Sequence, residues 1–154
     1  MTIMKTTQIV RFVAFVFSIL LSSSLFAQTN VSANDLSKDW SLLKEQNGAK
    51  LFVKREACSI NPSLKPLDYL LVKVVNENGD AVNSSFQIGL LFNNGCRGCE
   101  QNVETLRTVI VEANSSKECD CSFKNGEMSL LIKNPNHSDD AVFEGIQLID
   151  FKLD

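Results

Sequence analysis

Cys96-Arg97-Gly98-Cys99 is the segment in which residue type and spacing most directly suggest chemistry. Two thiols at that spacing can pass electrons, one as nucleophile and the other as resolving thiol. A redox pair of this kind needs its first cysteine at a helix N-terminus, where backbone amides stabilise the thiolate. It also needs a strand-helix-strand frame. A strand-like run, 88–92, does precede the motif, but the residues after it are β-branched. Pro135 follows the strand-like Leu130-Leu131-Ile132-Lys133, whereas that frame places a cis-proline before a strand. A structural bridge is therefore the preferred reading, with a thiol–disulfide oxidoreductase using Cys96 and Cys99 as the alternative.

The same pair, taken with Cys119 and Cys121, resembles two halves of a zinc ribbon. The second half is one residue short of the usual knuckle. Zinc held by Cys96, Cys99, Cys119 and Cys121 is thus a second alternative. Cys58 brings the count to five, so one thiol is left over or pairs between molecules. If the strands alternate up and down, Cys58, Cys96 and Cys99 gather at one end. Cys119 and Cys121, two apart in an extended strand, stand too far apart to bond each other. The expectation is two disulfides that tie Cys58 and one of Cys119 or Cys121 to the Cys96/Cys99 segment, with one thiol free.

Other polar residues carry less. His137, the single histidine, lies in the turn-like Asn134-Pro135-Asn136-His137-Ser138 with no nucleophile beside it in sequence. Asn136, Asp139 and Asp140 offer oxygen ligands for calcium but lack the EF-hand spacing, so a solvated charge pair is expected. Trp40 is read as a core anchor near the first strand. Asn30, Asn83, Asn114 and Asn136 each begin an N-glycosylation triplet, which matters only in a eukaryotic secretory route. No catalytic, cofactor-binding or metal residue is assigned; the five cysteines stand as disulfide candidates, and no cofactor is called for.

The first 27 residues read as a cleavable secretory signal. Lys5 and Arg11 precede an apolar run, 12–21, and Ser22-Ser23-Ser24-Leu25-Phe26-Ala27 ends on a small residue. The unbroken run is shorter than the roughly 20 residues that span a bilayer, and no later segment is long and apolar enough. Cleavage after Ala27 leaves 127 of the 154 residues, enough for one domain. It removes two of the 15 basic residues and none of the 18 acidic ones, so 13 face 18 and the net charge is −5. That balance argues against nucleic acid as a partner, whose affinity rests on a basic stripe. Export makes disulfides the default state of the cysteines.

Residues 28–38 are polar and read as a flexible leader; 39–154 form the domain. Period-two alternation marks strands at 50–58, 67–76, 82–93, 103–112, 118–124, 127–134 and 142–153. Val82, Phe86, Ile88, Leu90 and Phe92 share one face of the clearest of these. Asn47-Gly48, Asn78-Gly79 and Asn125-Gly126 supply turns, the last two read as hairpins. Residues 100–113 also fit a helical face, but their β-branched content favours strand. About seven antiparallel strands imply an all-β sandwich with immunoglobulin-like architecture.

Asp39-Trp40-Ser41-Leu42-Leu43-Lys44-Glu45, then Asn47-Gly48, a strand and Cys58, resembles the start of small exported proteins of unassigned function from Bacteroidetes-type bacteria. The signal ending Phe26-Ala27-Gln28 and the segment Gly95-Cys96-Arg97-Gly98-Cys99 are similar to theirs. So are the alternating strands over 130–153. The family's central strand is more aromatic than Leu90-Leu91-Phe92, and the extra cysteine in Cys119-Asp120-Cys121 is a departure. The resemblance implies the fold and an exported location, and no activity. The reading is an exported, non-enzymatic interaction or structural module, periplasmic or secreted, whose partner is an unnamed protein or surface ligand.

Overall fold

The structure, a computed structural model, describes residues 29–100, 105–138 and 140–154. The signal segment lies outside the described residues. Two antiparallel sheets of five strands each make an all-β sandwich. One sheet holds β1 (Asn30–Ser32), β10 (Phe143–Leu153), β5 (Val82–Phe92), β6 (Gly95–Arg97) and β7 (Arg107–Val111). The other holds β2 (Ser41–Gln46), β3 (Ala49–Cys58), β4 (Leu67–Asn76), β8 (Ser115–Glu118) and β9 (Ser129–Lys133).

The alternation that marks these strands also makes the core. Residues opposite one another in an antiparallel pair share a face. Leu51 pairs with Val74 and Val53 with Val72, and all four are buried. On the other sheet, Phe86 pairs with Phe151, Ile88 with Leu148 and Leu90 with Ile146, again all buried. Each such side chain stabilises the fold by about 1.5–3 kcal/mol when fully buried. Asn76, at the end of β4, is 1% exposed and ties the sheets together. Its Nδ2 donates to Asp80 O, Val111 O and Glu112 O, and its Oδ1 accepts from Asn78 N.

Both sheets share an unusual edge. β6 pairs with residues 90–92 of β5, and β7 pairs with residues 82–86 on the same flank. They form one edge strand, interrupted opposite Gln87, Ile88 and Gly89. β8 and β9 repeat the arrangement along β4, at 73–76 and 68–71, with Cys119 N donating to Val72 O at the break. In each sheet the chain leaves the edge at the break and returns farther along.

Several expectations need correction. Residues 118–124 are not a strand: β8 stops at Glu118, and Cys119 onward belongs to the excursion. The leader is not merely flexible, because Asn30–Ser32 pairs with β10 and Leu36 is buried in the core. Asn78-Gly79 and Asn125-Gly126 make no hairpins, since β4 does not pair with β5 nor β8 with β9. The sandwich has ten strands among the described residues where about seven were expected, because 118–124 is not one and β1, β2, β6 and β8 come from segments not read as strands. Asn47-Gly48 does close a hairpin, with φ of 47° and 76° as its turn demands. Strand was the right choice at Arg107–Val111; residues 101–104 lie outside the described residues.

Candidate functional site

The excursions carry Cys99, Cys119 and Cys121, and one disulfide fastens each excursion to its own sheet, through Cys96 on β6 and through Cys58 at the end of β3. Leu91 pairs with Cys96 and Gly89 with Gln147, so all four belong to the face turned away from the core. Cys96 and Cys99 are bonded to each other, with Cα atoms 5.8 Å apart. Their sulfurs lie flat on β5 at Gly89. A β-carbon there would run into Cys99 Sγ and come within 2.9 Å of Cys96 Sγ. Cys99 Sγ also lies 3.6 Å from Gln147 Oε1.

Gln87 fixes the loop from below. It is 3% exposed, and its Nε2 donates to Gly98 O at 2.8 Å and Glu100 O at 2.7 Å. A polar side chain on a nominally solvent-facing position is buried because the loop lies over it. Strand alternation turns Arg97 to the opposite face, where its guanidinium stands 4.2 Å from the centre of the Phe92 ring. Cys96 itself is exposed and Cys99 half-buried. The first cysteine therefore lies in an extended strand, without the helix N-terminus that a redox nucleophile uses.

On the other sheet, Cys58 and Tyr69 occupy the outer face, as their register with Leu67 and Glu56 requires. Cys58 bonds Cys121 across 5.2 Å between Cα atoms. Phe123 packs edge-on against Tyr69 with centroids 4.9 Å apart. Leu71 is fully buried although it too faces outward. Cys119 is the free thiol, buried at the break between β8 and β9. Burial pushes its pKa up, and the neighbouring Asp120 carboxylate adds to the rise.

The expected pairing is thus overturned. No disulfide joins Cys58, Cys119 or Cys121 to the Cys96/Cys99 segment: Cys58–Cys121 lies on the outer face of one sheet, Cys96–Cys99 on the outer face of the other, and Cys119 is buried in the core between them. The same separation removes the four-cysteine zinc site. Among the described residues no three His, Cys, Asp or Glu side chains are placed to hold a metal ion.

Asn136 is structural. Its Oδ1 accepts from Lys65 N and its Nδ2 donates to Lys65 O, pinning two loops together. Asp140 and His137 are exposed, and Asp139 lies outside the described residues. Trp40 packs against the core with Lys54 and Lys73 ammonium groups 4.9 and 5.7 Å from its ring centre. An open cleft of about 490 Å³ is lined by Leu36, Arg55, Pro66, Asp68, Lys133 and Pro135. Arg55 and Asp68 satisfy each other there, Nη2 to Oδ2 at 2.6 Å.

Sequence reading missed Gln87 and Gly89. A glycine inside the clearest strand of the sequence is a signal of close approach by another segment, and here it marks the seat of the disulfide.

No protein-family model matches the chain, and no curated protein matches it. Among solved structures, the Salmonella enterica trimeric lipoprotein SadB is similar at 11% identity, with a TM-score of 0.37. The match covers 96% of this chain and 69% of that one. So loose an overlap bears on neither fold nor function.

Proposed function

We propose that the chain is an exported, non-enzymatic β-sandwich module that acts by binding or by structural support, in the periplasm or outside the cell. The observation that carries this reading is the use made of the cysteines. Four of them staple loops onto the outer faces of the two sheets. Bridges of that kind persist in oxidising compartments, in keeping with the signal-like residues 1–27. The exposed Cys96 has an extended backbone and its Arg97 neighbour turned away, which suits a staple better than a thiolate catalyst.

The test combines export and activity. N-terminal sequencing of exported protein is expected to read Gln28 first, and purified protein is expected to give no turnover in insulin reduction. Protein retained at the membrane with Met1 intact would sink the exported reading. Catalytic insulin reduction would sink the non-enzymatic one and favour the Cys96/Cys99 oxidoreductase.

A further inference from the structure

The two disulfides differ in what surrounds them. Cys58 is wholly buried and Cys121 half-buried under the Phe123–Tyr69 contact. Cys96 lies exposed on β6, while its partner Cys99 is tucked against Gly89 and Gln147. Among the four disulfide cysteines Cys96 is the exposed one, so an external thiolate meets the pair first at Cys96, with Cys99 as the leaving thiolate. What holds the loop in place is local: the short pairing of β6 with residues 90–92, the fit of the bonded sulfurs on Gly89 and the two hydrogen bonds from Gln87.

From this geometry we propose that the Cys96–Cys99 bond is a reversible thiol-exchange site, reduced by an extracytoplasmic dithiol, and that its reduction lifts the loop off Gln87. One thiolate of the dithiol attacks Cys96 Sγ. The Cys96–Cys99 bond breaks, and Cys99 leaves with the electron pair and takes up a proton. The dithiol's second thiolate then attacks its own sulfur in the mixed disulfide and frees Cys96. Two electrons and two protons pass to the protein, and the donor leaves as a disulfide.

Lifting follows from size. Bonded sulfurs stand about 2 Å apart, whereas non-bonded heavy atoms settle about 3.5–4.0 Å apart. The seat on Gly89 fits the bonded pair and has no room in the direction of β5, because the backbone is there. Cys96 lies on the exposed three-residue β6, an edge strand held to β5 only at residues 90–92, and is the side with solvent in front of it. Its movement carries Gly98 and Glu100 away from Gln87 Nε2 and opens the outer face of β5.

The experiment uses the mature chain and dithiothreitol as the dithiol. Native protein is titrated, alkylated and mapped, and amide hydrogen exchange is followed over residues 86–100. The expected result is full labelling of Cys96 and Cys99 while Cys58–Cys121 stays intact, with exchange over 86–100 at least tenfold faster. Cys58–Cys121 reduced first, both bonds lost together, or unchanged exchange after reduction would each overturn the proposal. Single variants locate the attacked sulfur. In C99S, Cys96 is expected to form a mixed disulfide with glutathione disulfide at least tenfold faster than Cys99 does in C96S. Equal rates, in variants that keep Cys58–Cys121, would overturn the assignment to Cys96. Insulin turnover would remove the non-enzymatic reading and leave this exchange site standing, whereas a bond that resists dithiothreitol would do the reverse.

Discussion

Cys99 Sγ occupies the space in which a β-carbon of Gly89 would stand. The staple on this sheet and the glycine in its central strand therefore depend on each other. Gly89→Ala is expected to push the sulfur pair outward and destabilise the fold by about 1–3 kcal/mol, the usual cost of overpacking. Urea unfolding measures the loss. In a C96A/C99A background most of that cost is expected to vanish, because the obstructing sulfurs are gone; an undiminished cost would mean the glycine serves something else.

The two bridges are expected to contribute unequally. Cys58–Cys121 spans 63 residues and Cys96–Cys99 spans three. Loop-closure entropy assigns about 4 kcal/mol to the first and about 2 kcal/mol to the second. Non-reducing peptide mapping is expected to recover both bonds and a free Cys119. Double alanine replacement of each pair then compares their contributions to stability.

Asn76→Ala is expected to lower stability by about 2–3 kcal/mol. It leaves the Val111, Glu112 and Asp80 carbonyls without their donor, and an unsatisfied buried acceptor costs about 1–3 kcal/mol. Because the amide joins β4 to the end of β7, Asn76→Leu, which restores volume alone, is expected not to rescue it. Thermal or urea unfolding decides.

Cys119 is expected to make the fold sensitive to alkali. Its thiol pKa is raised by burial and then by Asp120, so the folded chain keeps a proton that the unfolded chain releases near pH 8.5. The stabilisation is whole below that unfolded value and is lost as pH rises through the folded one. Between pH 7.5 and 9.5 the wild type is expected to lose stability more steeply than C119A. Parallel slopes in urea unfolding would refute the assignment.

Much of the fold was legible in the sequence, because β3, β4, β5 and β10 each bury one alternating face. The cysteine geometry was not. Cys119, Cys121 and Phe123 alternate as a strand does, yet they lie outside any strand: Cys119 is buried in the core, Cys121 bonds Cys58 and Phe123 rests on Tyr69. Alternation reports that every second side chain is covered and does not say by what. Gln87 teaches the same lesson from the other side: it points outward and is buried, under an excursion that interrupts an edge strand. Pairing of the sulfurs depends on which outer face each loop covers, and sequence spacing carries no information about that.

The pairing of β1 with β10 has a consequence for timing. β10, the last of the described strands, lies between β1 and β5. Until Phe143–Leu153 has been synthesised, β1 has no partner and β5 lacks the neighbour that covers its whole length. Contacts between the two ends of a chain form late and slowly. A nascent chain with this topology stays open until Phe143–Leu153 has been made.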